Sequence, residues 1–142
     1  MKIKFLAIAS IIALAFTSCS KDNDDVAVTP VTPTPAPSMV GFWKGKYGNG
    51  STVYPTSGYA FLYRADGTVR VFNSTDTATA GKAEGTYIKS GATVTCTYTY
   101  IAPASGTYAT SATVDANFTF LEGTWGSGTN TTNGGMYFVS KQ

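Results

Sequence analysis

The chain has 142 residues, with 15 Gly, 6 Pro, 2 Cys, no His and a formal net charge of +2. Charged residues are 13% of it, about half the quarter that an ordinary globular domain carries. That length holds one domain with processing segments. The low charge disfavours a charge-laced helical bundle, the near-neutral balance gives no footprint for nucleic acid, and the missing His removes the commonest general base and metal ligand.

Met1-Lys2-Ile3-Lys4 is a short basic start, and residues 5–16 are an unbroken run of apolar and small side chains. A run of about 12 residues has the length of a secretory h-region; a spanning helix needs roughly 20. Phe16-Thr17-Ser18-Cys19 follows, and it resembles the lipobox of bacterial lipoproteins, with Phe16 where Leu is usual. The resemblance implies cleavage after a signal peptide of residues 1–18 and a diacylglycerol on Cys19 that anchors the protein to a membrane. The alternative is an ordinary secretory signal with an incidental Cys. Ser20-Lys21-Asp22-Asn23-Asp24-Asp25 is similar to the export signal by which some Gram-negative bacteria send lipoproteins to the outer face of the outer membrane. It implies display at the cell surface, with the periplasmic face as the alternative. Residues 26–38 interleave Pro30, Pro33, Pro35 and Pro37 with Thr. Alternating Pro supports neither helix nor ladder, so residues 19–38 are expected to be a disordered stalk; at about 3 Å per residue its Pro-rich part reaches about 40 Å.

Residues 39–142 alternate in polarity with a period of two and sustain no helical repeat. Strands are expected at 40–47, 58–64, 68–73, 85–89, 93–101, 112–121, 123–126 and 136–141. Asp66-Gly67 and Ser90-Gly91 suit tight hairpins, 102–106 is a longer turn and 130–135 a polar loop. Short connections make neighbours antiparallel, so the expected fold is all-β, a small antiparallel meander barrel of about eight strands, closed because an open sheet would expose its edges. Tyr59, Phe61 and Tyr63 share one face, where Val69 and Val71 meet them across the hairpin. Val94, Cys96, Tyr98 and Tyr100 line another strand, with Thr93, Thr95, Thr97 and Thr99 turned to water. With Cys19 lipidated, Cys96 is left as a buried, inert thiol with no disulfide partner. The seventeen aromatic rings of the domain are expected to fill the barrel.

Gly41-Phe42-Trp43 opens the first strand, Gly85-Thr86-Tyr87 sits mid-chain, and Gly123-Thr124-Trp125 precedes a Gly-Gly-aromatic last strand ending in Lys141. This opening resembles the G-x-W of lipocalins and avidins, and the layout looks like short lipocalin-like domains of secreted bacterial lipoproteins. The resemblance implies an inward Trp43 that closes one barrel end. Gly41, two residues earlier on the same face, would make room for its indole. At about 104 residues and with no helix pattern after the last strand, the domain is smaller than most lipocalins, which argues for a filled interior. Trp43 and Trp125 are read as core plugs, with a ligand-stacking role as the other possibility.

Catalytic chemistry finds little support. Asp66 belongs to its turn and Asp76 to a polar loop, while Glu84, Asp115 and Glu122 are expected to be outward and solvated, without the convergence a glycosidase needs. No enzyme, cofactor or metal is expected, since one Cys and no His leave few soft ligands. Gly48-Asn49-Gly50-Ser51 resembles a phosphate loop in composition alone. Lys44, Lys46, Arg64 and Arg70 would make a mild positive strip. The expected function is a monomeric, membrane-anchored binding module whose loops 49–57, 74–82 and 127–135 surround one barrel mouth. Tyr47, Tyr54 and Tyr108 are its candidate ligand contacts, with Trp43 and Trp125 as stacking platforms. A glycan or other small molecule is the expected partner. The rivals are an enzyme inhibitor or envelope interaction module, and a carrier of an apolar ligand.

Overall fold

In the computed structural model, residues 36–142 are described; the signal segment, Cys19, the acidic cluster and the stalk up to residue 35 lie outside them. The alternating segments form eight strands: β1 (Gly41–Tyr47), β2 (Ser57–Tyr63), β3 (Thr68–Phe72), β4 (Lys82–Ser90), β5 (Thr93–Tyr100), β6 (Thr107–Val114), β7 (Phe120–Ser127) and β8 (Gly135–Lys141). Each pairs antiparallel with the next, and β8 returns to β1 with Gly45 opposite Val139, closing the barrel. Closure gives every strand two partners, so no edge is left unpaired.

Period-two alternation decides which side faces in. On β5, Val94, Cys96 and Tyr98 are buried while Thr93, Thr95, Thr97 and Thr99 are exposed. Phe61 stands opposite Val71 and Tyr63 opposite Val69, all four fully buried. On β5 the inside is thus apolar and the outside is Thr.

Several expectations change. Residues 112–121 are not one strand: β6 starts earlier, at Thr107, and ends at Val114, and β7 starts at Phe120. Between them Asp115 accepts hydrogen bonds from Thr119 N (2.6 Å), Thr119 Oγ1 (2.7 Å) and Phe120 N (2.9 Å), and Phe118 takes a left-handed φ of 56°. A short polar side chain that binds the backbone ahead of it competes with the ladder and turns the chain. The amide of Phe120 and the hydroxyl of Thr119 also hold the Asp115 carboxyl below its usual range. β4 starts at Lys82, three residues before the expected Gly85, and brings Ala83 into the core. The rings do not all point inward either. Phe42, Phe72, Phe120 and Phe138 alternate with core residues and lie on the outer face, where Phe42 meets Phe72 edge-on at 6.2 Å. Most inward rings are therefore tyrosines.

The positive strip is also revised. Glu84, on the outer face of β4, sits between Arg70 opposite it on β3 and Arg64 at the hairpin, with Arg64 Nη1 3.1 Å from Glu84 Oε2 and an ion pair to Arg70. Glu84 is therefore not simply solvated. Burial opposes its ionisation, but hydrogen bonds from Arg64 and Arg70 outweigh it and hold the carboxyl below its ordinary value.

One end of the barrel is plugged. Trp43 is fully buried, donates from Nε1 to Met39 O at 3.0 Å and meets Tyr63 edge-on at 6.1 Å. Gly41 does not make room for the indole directly. Its φ is +136°, and an added Cβ would lie 2.9 Å from Lys141 Cε; Lys141 instead lays its ammonium over the Trp43 ring at 5.9 Å. Beside this end, Tyr87 OH donates to Arg64 O at 2.9 Å.

Candidate binding site at the barrel mouth

The other end is built from the last inward residues of the strands and the four loops that join them. β1 alternates Trp43, Gly45 and Tyr47 inward, so Tyr47 reaches the rim. β5 continues from Tyr98 to Tyr100, β6 opens with Tyr108 inward, and β7 ends with Trp125 inward. These side chains enclose a cavity of about 230 Å³, with Tyr59 and Tyr98 also lining it and Asn49, Asn73, Ala104 and Ser105 contributed by the loops.

The floor is fixed by hydrogen bonding and packing. Tyr59 and Tyr98 share a hydrogen bond between their hydroxyls. Below them lie Phe61, 4.6 Å from Tyr59 ring to ring, and Tyr137, 5.5 Å from Tyr59. Deeper still, Tyr63 OH approaches Cys96 Sγ at 3.7 Å, while Thr110 Oγ1 and Tyr137 OH are buried with no hydrogen-bond partner. The interior is thus filled from the plug up to the Tyr59–Tyr98 pair and open above it. Burial pushes both phenols of that pair well above their usual range, and Tyr98 adds to the effect on Tyr59. Burial also raises Cys96, so its thiol is a poor nucleophile.

The walls are rings that cross one another. Tyr47 and Trp125 meet at 5.8 Å and 87°, Tyr100 and Tyr108 at 5.7 Å and 85°. Trp125 is held by its own donor, Nε1 to Gly48 O at 3.0 Å, and lies so close to Gly134 that a Cβ there would stand 2.6 Å from Trp125 Cδ2. Gly134 therefore does for Trp125 what Gly41 was expected to do for Trp43. At the rim, Asn73 Oδ1 accepts from Gly81 N at 2.8 Å. The hydroxyls of Tyr47, Tyr100 and Tyr108 take part in none of these bonds. The lining residues carry no carboxylate, ammonium or guanidinium.

Of the five aromatic candidates, Tyr47, Tyr108 and Trp125 come together at this mouth, and Trp43 sits at the opposite, plugged end. Tyr54 lies outside the barrel, 73% exposed, with its ring 6.3 Å from Phe138. It borders an outer groove of about 700 Å³ with Val53, Phe120, Met136 and Phe138. Sequence reasoning missed Tyr59, Tyr98 and Tyr100 as site residues and the 101–106 loop as part of the rim. Their inward parity was visible, but the depth at which packing stops was not. The chain matches no protein-family model, no curated protein and no solved structure.

Proposed function

We propose that this is a non-catalytic binding module, carried on a lipid-anchored stalk at the outer membrane and displayed on the cell surface, whose barrel mouth takes a small polar cyclic ligand such as a carbohydrate unit. The observation that carries the reading is the uncharged aromatic cavity above the Tyr59–Tyr98 floor. Aromatic faces supply apolar contact while phenol and amide edges supply hydrogen bonds, the mixture a hydroxylated ring needs. A lipocalin-like reading is supported by the Gly-x-Trp opening, the buried Trp43 plug and the closed eight-stranded barrel. Absence of catalysis is supported by a mouth lining that carries no acid and by what three of the acids are occupied with. Glu84 is engaged by two arginines, and Asp66 and Asp115 bind their own turns. Carriage of an apolar ligand inside the barrel is disfavoured because its interior is already packed.

Titration of the purified protein with neutral glycans and small cyclic polyols, followed by tryptophan emission, tests this. Trp125 walls the cavity, so occupancy should shift its emission, and Tyr108→Ala should weaken the response at least about tenfold, or about 1.4 kcal/mol. No response across a broad panel would overturn the reading.

The rival, an inhibitor or envelope interaction module, is favoured by the outer groove. Exposed Val53, Tyr54, Phe120 and Met136 cluster there, and clustered exposed apolar residues mark contact surfaces. It predicts that a photo-crosslinker at position 54 or 136 captures one discrete envelope protein in intact cells, while one at position 105 captures none.

A further inference from the structure

We propose that the mouth accepts one uncharged sugar ring end-on, so that a glycan is recognised by its non-reducing terminal unit and not along its length. This rests on the binding reading above and narrows it.

Size comes first. The cavity, about 230 Å³, is larger than the roughly 150 Å³ void that admits a benzene ring and smaller than the ~300–1,000 Å³ of sites for drug-sized ligands. It suits a single six-membered ring with its substituents.

Shape decides how that ring is attached. Side chains of β1, β2, β5, β6 and β7 and of the rim loops wall the cavity at the end of a closed barrel, and the Tyr59–Tyr98 pair with Phe61 beneath it seals the bottom. An internal unit of a chain needs two ways out. Here the mouth is the way in and out, so a single linkage can leave the bound ring.

Crossed walls decide what kind of ring fits. A flat aromatic ligand is best held between parallel faces, whereas Tyr47–Trp125 and Tyr100–Tyr108 meet at 87° and 85°, and the near-parallel pair Tyr98–Tyr108, at 25°, stands only 6.1 Å apart, too close to admit a third ring between them. A puckered ring with C–H faces and hydroxyl edges can meet a ring face on one side and a phenol edge on the next. In the floor pair one phenol's proton is spent on the other, leaving one O–H and free lone pairs, and the amides of Asn49 and Asn73 can donate and accept.

Charge excludes the remainder. A carboxylate taken into this cavity would leave water and meet no cation, which costs several kcal/mol when a charge is buried unpaired. Uronic and sialic acid termini should be refused.

The test uses the full chain and two readouts, tryptophan emission and saturation-transfer NMR on the ligand. The probes are methyl glycosides of neutral hexoses and N-acetylhexosamines, their uronic acid counterparts, and short oligosaccharides extended at either end. The expected result is binding of at least one neutral methyl glycoside, undiminished when the chain is extended from its reducing end. Blocking the non-reducing end should abolish binding, and the matching uronate should bind at least about tenfold more weakly. Ser105→Trp, an exposed rim substitution, should remove binding and leave the melting temperature unchanged. Binding that survives a blocked non-reducing end, tightens with chain length or favours the uronate overturns the end-on inference and leaves the binding module standing. Silence across the whole panel in both readouts overturns both.

Discussion

At the scale of single residues, the chain's preference for Tyr over Phe inside the barrel shapes the site. The inward tyrosines settle their phenols in different ways: Tyr59 and Tyr98 bond to each other, Tyr87 reaches a backbone carbonyl, Tyr63 meets the Cys96 thiol, and Tyr137 is buried without a partner. This asymmetry gives a prediction. Tyr59→Phe should cost about 1 kcal/mol, because Tyr98 loses its partner, while the Tyr59→Phe/Tyr98→Phe double variant should recover most of the loss. A double-mutant cycle in denaturant reads the coupling directly. Trp43 differs in kind. It fills the plug and donates to Met39, so Trp43→Ala should cost about 3–5 kcal/mol by denaturant unfolding. Its inward burial was legible in the sequence, from strand parity and the Gly-x-Trp spacing. Its distance from the ligand site was not, because nothing local says which barrel end a strand's first residue occupies.

At the scale of strands, glycines mark where the barrel bends. A Cβ on Gly45 would lie 2.7 Å from Val139 Cα, one on Gly85 2.6 Å from Tyr98 Cα, and one on Gly123 2.5 Å from Ala112 Cα. Each faces its own ladder partner, so the strands are coiled together more closely than a side chain permits. Gly85→Ala should therefore cost about 3 kcal/mol or more. Gly91→Ala, with open space around it but a φ of +60°, should cost about 1–2 kcal/mol from backbone strain alone. Comparing the two denaturation midpoints separates close approach from conformation. The Arg64–Glu84–Arg70 group ties β3 and β4 to the β2–β3 hairpin on the outer face. It is half-exposed, so the magnitude of surface pairs applies, and Glu84→Gln should cost about 1 kcal/mol at neutral pH. The folded Glu84 titrates below its unfolded value. Its stabilisation is therefore complete above the unfolded pKa of about 4.3 and lost as pH falls through the depressed folded one. The gap between parent and variant should close over that acidic window in thermal melts. None of this pairing was legible beforehand, since Arg64 and Glu84 are twenty residues apart and meet only through the register of β3 with β4.

At the scale of the whole molecule, the proposed anchor, stalk and barrel make separable claims. Cys19→Ser should move the protein from the membrane to the soluble fraction while leaving its ligand response intact; a membrane-bound Cys19→Ser protein would remove the lipid anchor from the reading. The mouth lining holds none of the side chains that change charge between roughly pH 5 and pH 8, so affinity measured across that range should stay flat, as should its dependence on salt. What the sequence by itself determined is the all-β class, the number of strands and the inward face of most of them, because alternation and turn chemistry act between neighbours in the chain. Only the tertiary structure decided the rest: that Asp115 breaks the chain into β6 and β7, that Phe42, Phe72, Phe120 and Phe138 go outside, that Glu84 is shared by two arginines, and that packing stops at Tyr59 and Tyr98. Those outcomes depend on how eight registers add up around a closed ring, and the volume left over at its mouth belongs to no single segment.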